Sequence, residues 1–349
     1  MIHSPSMRRA TAMTLLFGAA LLAGADRPSP QAPAPEKAHP AKYKLSGPFT
    51  HENLTIYLIH GEDQVKGKTF LTLKEALEQK KVIVHETQQV NKLAIENVSP
   101  GEEVFVQAGD IVKGGKQDRV IAYDIILPAK SGKMPIASFC VEAGRWTGRR
   151  GESAAHFDAN SAQAPTKDLK LAVRKDMAQR KVWENVAKAQ MQLGSNTGGS
   201  VRDARSATSL QLTLENKKLQ EATEAYVKKL QSAADGKEDV IGYAFAVNGL
   251  INSADVYASH QLFMKLWPML LKGSAVEAIS ELKKDKSFKP VTADKVGAFL
   301  SDAEKGKENG KDISKRVRVT EQETAENLLY ICRDKELNGA AVRKSYLKK

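Results

Sequence analysis

Short apolar runs crowd the stretch from Asn53 to Trp146: residues 54–59 (LTIYLI), 82–84, 93–95, 104–106, 120–127 and 136–141. Polar or Gly/Pro punctuation separates them, at Ser99-Pro100-Gly101, Gly114-Gly115, Pro128 and Ser131-Gly132. Runs this short and this closely spaced read as strands. Parallel β-α-β units need a helical pattern between successive strands, and that rhythm is missing, which argues against a dinucleotide-binding fold. The expectation is an N-terminal antiparallel β sheet or sandwich. One helix interrupts it: Thr72-Leu73-Lys74-Glu75 has the form of a capping box, with Leu73, Ala76 and Leu77 on one face.

After Trp146 the pattern changes. Residues 147–167 are polar and read as a surface connection, and residues 175–193 as a helix with Val182, Trp183, Val186 and Ala187 along one side. The segment 194–200 (GSNTGGS) breaks that helix. A second helix spans about residues 214–231, with Leu219, Ala222, Tyr226 and Leu230 as its buried stripe. Residues 240–247 (VIGYAFAV) form a strand bounded by the Asn248-Gly249 turn, and Ser253 caps a helix over 254–272, kinked at Trp267-Pro268. Strands return at 316–320 and 327–333, with a short element at 341–347. Strands, then helices, then strands define an α+β class. The expected organisation is a single α+β domain over 43–349, with a β-rich half (43–146), a helix-rich half (147–290) and C-terminal strands (311–347).

The N-terminus reads as an export signal. Met7-Arg8-Arg9 is basic, residues 10–25 carry no charge, and Ala23-Gly24-Ala25 is a small-residue exit, so residues 1–25 are a signal peptide cleaved near Ala25. The expected destination is periplasmic or extracellular. Residues 26–42 form a Pro/Ala-rich linker that favours extended polyproline geometry. Beyond the first stretch no run of about 18 apolar residues occurs, so no membrane span is expected in the mature chain. Removing residues 1–25 takes away Arg8 and Arg9 and no acid, lowering the net charge from +12 to +10. That balance favours an anionic small molecule as partner. Nucleic acid is not expected, because the bases are scattered among acids with no aromatic-laced basic motif. Cys140 and Cys332 sit in apolar runs and suit either a disulfide or two buried thiols.

The phosphate-binding, dinucleotide, zincin and nucleophile-elbow signatures are all missing from the sequence, and its 7 His are dispersed. Neither a metal nor a cofactor is expected. Two segments concentrate charge. Residues 109–119 (GDIVKGGKQDR) set Asp110, Asp118, Lys113, Lys116 and Arg119 between two strands, around Gly114-Gly115. Glycines let backbone amides approach an anion closely, Lys116 is a point charge, and Arg119 is a planar fork suited to phosphate or carboxylate. Residues 142–146 (EAGRW) follow one strand later. If residues 136–141 run beside 120–127, Glu142 and Arg145 come near Lys116 and Arg119, with Trp146 as a stacking platform. The same residues also suit a hairpin whose charges pair among themselves, closed by a core tryptophan. A third segment, Asn248-Gly249 with Asn252 and Asp255, reads as a turn and helix start.

In order, Thr72-Leu73-x-Glu75-Ala76-Leu77, Gly109-Asp110, Gly115-Lys116-Gln117-x-Arg119, Cys140-Val141-Glu142-x-Gly144-Arg145-Trp146 and Asn248-Gly249-x5-Asp255 form a pattern. It resembles a prokaryotic family of uncharacterised domains named for association with ADP-ribosylglycohydrolases and rhodanese-phosphatase superfamily proteins. The resemblance runs from about residue 43 to 277, and on towards 346. It implies a ligand derived from nucleotides, ADP-ribose-like, and points to Lys116, Gln117, Arg119, Glu142 and Arg145. The family pattern has Glu where this chain has the shorter Asp110. The resulting expectation is an exported binding module for a phosphate- or sugar-bearing anion, held by Gly114, Gly115, Lys116, Gln117, Arg119, Arg145 and Trp146. Two alternatives stand beside it. One is a structural protein of the cell envelope; the other is a hydrolase with Glu142 or Asp118 as general base and Asp110 as a further catalytic candidate.

Overall fold

Alternating side chains on β-branched and aromatic strands, with helices laid over both faces, organise this α+β fold. The computed structural model describes residues 43–149, 152, 154–155, 157–283 and 286–349, so the signal peptide and linker expected over 1–42 lie outside the described residues. The chain opens with the hairpin β1 (Lys44–His51) and β2 (Leu54–His60). β3 (Leu71–Thr72) leads into α1 (Leu73–Glu78), where Thr72 and Glu75 cap one another reciprocally. The strands β4 (Val82–Glu86), β5 (Lys92–Asn97), β6 (Val104–Val106) and β7 (Asp110–Gly114) follow. Then come β8 (Arg119–Ile121), β9 (Ile125–Leu127), β10 (Gly132–Cys140) and β11 (Phe157–Gln163).

The middle of the chain is helical: α2 (Lys167–Leu171), a π-turn over Ala172–Asp176, α3 (Gln179–Asn196), α4 (Leu210–Leu214) and α5 (Lys217–Leu230). The hairpin β12 (Val240–Val247) and β13 (Leu250–Tyr257) precedes α6 (His260–Ser280) and α7 (Ala293–Ala303). A meander of β14 (Lys307–Asp312), β15 (Val317–Glu323), β16 (Asn327–Asp334) and β17 (Ala340–Lys348) ends the chain. No helix among the described residues is long and apolar enough to cross a membrane.

An eight-stranded antiparallel sheet runs in the order β1-β2-β12-β13-β17-β16-β15-β14. It joins the first hairpin, the middle hairpin and the C-terminal meander. The period of two divides its residues between the faces. Ile56, Leu58, Tyr243 and Phe245 pack with Tyr226 of α5 and with Phe263 and Trp267 of α6. Tyr57, Ile59, Ala244 and Val256 pack instead with Val296, Phe299 and Leu300 of α7. A six-stranded antiparallel sheet (β11-β7-β8-β10-β5-β4) and a small one (β3-β6-β9) make up the other β layers.

Four expectations need correction. The helix expected over 254–272 is a strand at its start: Asn248 (φ 53°) and Gly249 (φ 74°) make the two-residue turn that returns β13 onto β12. The helix begins only at His260, with Ser259 Oγ accepting from Leu262 N at 3.2 Å, and it continues through Pro268 to Ser280. The run 120–127 divides into β8 and β9, which enter different sheets around Tyr123-Asp124. The polar stretch 147–167 contains β11, which pairs with β7 as an edge strand and therefore needs no apolar alternation. Finally, α3 starts at Gln179 and runs to Asn196, into the segment read as a breaker, while residues 172–176 form the π-turn.

Gly242 lies on β12, where a Cβ would stand 2.3 Å from Asp255 O and 2.9 Å from Val256 Cα. Both obstacles are backbone and cannot swing aside. Gly242→Ala is expected to lower the unfolding free energy by about 1–3 kcal/mol or more in urea denaturation. Gly297→Ala, in α7 with no atom within 4 Å of the added Cβ, is expected to raise it by about 0.5–1 kcal/mol.

Candidate functional site

The hairpin between β7 and β8 carries a buried ionic group. Gly114 (φ 114°) and Gly115 (φ 55°) turn the chain, and a Cβ on Gly115 would stand 2.1 Å from the Phe157 ring, so only glycine fits beneath β11. Cys140 of β10 pairs with Arg119 of β8, which carries the chain on to set Glu142 against Asp118: Asp118 N donates to Glu142 Oε2 at 3.3 Å. Arg149 forks onto Asp118 at 2.6 and 2.7 Å, while Gly114 N and Ser209 Oγ each donate to the same carboxylate at 2.9 Å. Arg145 holds Glu142 through Nε at 2.8 Å and Nη2 at 2.7 Å. Burial pushes the Glu142 carboxyl up, but hydrogen bonds from Arg145 and Ser206 and the charges of Arg145 and Arg149 outweigh it and hold the group below its usual range. Arg149 is likewise held above its ordinary value, since Asp118 and Glu152 outweigh its desolvation.

The structure thus brings Gln117, Asp118, Arg119, Glu142 and Arg145 together. Gln117 Nε2 donates to Glu142 O at 3.0 Å, and buried Arg119 donates to Gln117 Oε1 at 3.3 Å with Glu86 at 3.7 Å. Lys116 is half-buried; its backbone N donates to Glu86, and its ammonium pairs with no acid among the described residues. Trp146 is 48% exposed, outside this core. Asp110 lies at the opposite end of β7 from Gly114. Sequence reasoning missed Arg149 and Ser209; the paired bases Arg149-Arg150, three residues past Trp146, were the available signal. The two acids of the knot are saturated, while Arg119 Nε and Nη2 have no hydrogen-bond partner among the described residues. Each acid already meets arginine, and Asp118 accepts four hydrogen bonds from protein donors. It fastens residues 142–149 and the start of α4 to the hairpin.

A second ionic group lies where the large sheet meets the second layer. Arg343 of β17 donates to Asp255 Oδ1 at 2.8 and 3.0 Å, to Asp124 Oδ1 at 2.7 Å and to Ala108 O at 3.2 Å. Beside it, Asp110 accepts from Gln107 N at 2.9 Å and from Gln163 Nε2 at 3.1 Å, and Tyr257 OH donates to Gln107 Oε1 at 2.6 Å. Burial raises Asp110 to about 6 despite those hydrogen bonds and the charge of Arg343.

Arg174 projects from the π-turn into the same region and is treated differently. Its guanidinium lies 4.0 Å from the Tyr330 ring centroid, and its Nη2 is 3.8 Å from Asp124 Oδ2. Its Nε and Nη2 have no hydrogen-bond partner among the described residues; Asp124 Oδ2, Gln107 Nε2 and Ser253 Oγ also lack one. Desolvation lowers the Arg174 pKa against the pull of Asp124. Arg174, Arg343, Lys170, Gln163, Ser253 and Asp255 line a cavity of about 20 Å³ there. Arg174, Arg343 and Lys170 thus share this region with Asp110, Asp124 and Asp255.

Among the described residues no cluster of three or more His, Cys, Asp or Glu side chains is arranged to hold a metal ion. Cys140 and Cys332 are both buried free thiols; burial pushes Cys140 up to about 11 and Cys332 well above its ordinary value, the opposite of an activated nucleophile.

Two variants test these assignments. Arg149→Met leaves buried Asp118 without its forked cation and is expected to cost about 3–5 kcal/mol in chemical denaturation. Asp110 gives a pH signature. Its folded value lies above the unfolded one, so the folded chain keeps a proton that the unfolded chain has lost, and stability falls as pH rises from about 4 to about 6. Asp110→Asn, with Gln163 free to reverse its amide, should flatten that fall of about 3 kcal/mol when denaturation midpoints are compared across this range. An unchanged profile contradicts the assignment. No curated protein and no solved structure matches the chain. The family model for the ARG and Rhodanese-Phosphatase-superfamily-associated Protein domain (ARPP-1) matches residues 42–346. The chain belongs to that family.

Proposed function

We propose that the chain is a binding module for a compact anion, or for the acidic end of a larger phosphate- or sugar-bearing ligand, received beside Arg174. One observation carries the reading: a buried guanidinium whose Nε and Nη2 lack hydrogen-bond partners among the described residues. Arginine stays charged at any physiological pH, and an unpaired buried charge costs several kcal/mol. Arg149 forks onto Asp118, Arg316 onto Asp334 and Glu103, and Arg343 onto Asp255. Buried Arg119 also lacks partners at Nε and Nη2 among the described residues, with Glu86 at 3.7 Å; Arg174 is set apart by lining the cavity. An anion beside Arg174 supplies the missing acceptor, and half-buried Lys170 adds a second charge from the lining.

The cavity size limits what enters. About 20 Å³ accommodates one solvent-sized group, such as a halide or an oxygen of a carboxylate or phosphate. A nucleotide-derived ligand of the kind the family name suggests would therefore insert only its acidic end. The Tyr330 ring fixes the guanidinium plane, and the π-turn supplies the extra backbone residue that aims Arg174 inward. The saturated acids Asp118 and Glu142 lend the hydrolytic alternative no support. Export is the setting we propose, on the charged start and apolar run of residues 7–25.

The test is calorimetric titration and thermal shift with chloride, acetate, orthophosphate and ADP-ribose at matched ionic strength. At least one should raise the melting temperature saturably, as ligand linkage requires. Arg174→Met, which exchanges an incompletely hydrogen-bonded charge for an apolar side chain of similar length, should be at least as stable as the ligand-free parent and lose the response. A parent indifferent to all four, or a variant with an unchanged response, overturns the reading.

A further inference from the structure

At one edge of the large sheet the adjacent strands β1 and β2 and the residue leading into β12 bring Ser46, His60 and Asp239 into line. His60 ends β2, opposite Lys44 of β1 and Val240 of β12. Its Nδ1 lies 2.8 Å from Asp239 Oδ1, and its Nε2 lies 2.7 Å from Ser46 Oγ. The chemistry of the three groups fixes the proton positions. A carboxylate at Nδ1 only accepts, so the imidazole presents N–H there, and Nε2 is then the lone pair that receives the Ser46 hydroxyl proton. The hydrogen bond from His60 holds Asp239 below the usual carboxylate range.

The exposure of the three groups is graded. Asp239 is mostly exposed, the His60 side chain is 8% exposed, and Ser46 is half-buried. The β1–β2 register skips Gly47 and Pro48, so the residues following Ser46 are exposed and lie outside the paired ladder beside its hydroxyl. A chain tie would need only one of these two hydrogen bonds. Both together reproduce the order hydroxyl, base, orienting carboxylate that activates a serine.

We propose that Ser46, His60 and Asp239 form an acyl-transfer site that hydrolyses small, unhindered carboxylic esters. Ser46 Oγ attacks the ester carbonyl carbon while its proton passes to His60 Nε2. The bond to the alcohol oxygen then breaks, and His60 returns the proton to the departing alcohol. Water attacks the acyl-Ser46 ester, gives its proton to His60, and the acid leaves as that proton restores the serine hydroxyl. Ser46 and His60 are the catalytic residues, and Asp239 is a positioning residue that keeps the tautomer. The partly open position of Ser46 at a sheet edge suits a short acyl group presented from solvent. This site is independent of the Arg174 cavity.

The test treats the full chain with a fluorophosphonate probe and maps the adduct by peptide mass spectrometry, alongside turnover of p-nitrophenyl acetate. The adduct is expected on Ser46, and Ser46→Ala should abolish both labelling and turnover. His60→Gln should cut both by about 100-fold or more. Asp239→Asn should lower kcat with KM unchanged, which a merely structural tie would not produce. Mapping on the unaltered chain needs no variant to fold. A folded chain that takes no probe, or takes it elsewhere, overturns the proposal, as does turnover that survives Ser46→Ala.

Discussion

The guanidinium of Arg343 is the fastening on which the layered arrangement depends. It comes from the last strand, binds Asp255 on the neighbouring strand, and reaches Asp124 and the Ala108 carbonyl in the second β layer. Arg316 repeats the device by joining Asp334 of β16 to Glu103 ahead of β6. Exposed ion pairs contribute about 0–1 kcal/mol, whereas breaking one partner of a buried pair costs about 3–5 kcal/mol. Many pairs on this basic chain are exposed. The few buried ones therefore decide how the layers lock, and the C-terminal meander must be in place before they do.

The hairpin group and the layer-junction group differ in completeness. At the hairpin, Asp118 and Glu142 face Arg145 and Arg149 with near-ideal distances, so the group is a latch. At the layer junction, Arg343 takes the good acceptors Asp124 Oδ1 and Asp255 Oδ1, and Arg174 is left with a carboxylate oxygen at 3.8 Å. Buried polar groups in folded proteins are almost always hydrogen-bonded. A cluster of orphaned atoms around one cavity therefore marks where the fold gives up stability for something other than packing.

Some of this was legible in the sequence. The strand-rich start followed from short apolar runs, and the capping box at Thr72 from its spacing. Reading residues 136–141 as the neighbour of 120–127 brings Glu142 and Arg145 to the β7–β8 hairpin, and Cys140 does pair with Arg119 while Arg145 donates to Gly115 O. The β13 strand was read as a helix because Asn252, Ser253 and Asp255 look like turn and cap residues. The polarity of Asp255 is instead explained by Arg343, 88 residues away. Arginines such as Arg174 and Arg343 resemble surface charges until their burial is known. Likewise no local pattern links His60 to its partners, which stand 14 and 179 residues away. Local pattern fixes elements; charge pairing across such separations appears only once the sheet has assembled.

Arg174 brings to its cavity a guanidinium whose Nε and Nη2 meet no hydrogen-bond partner among the described residues. Crystals grown in bromide, with diffraction collected at the bromine absorption edge, test most directly whether an anion meets it. The account predicts an anomalous peak within hydrogen-bonding distance of the Arg174 guanidinium, in the cavity shared with Lys170 and Arg343. A guanidinium hydrated by water alone, with no bromine signal beside it, would contradict the account.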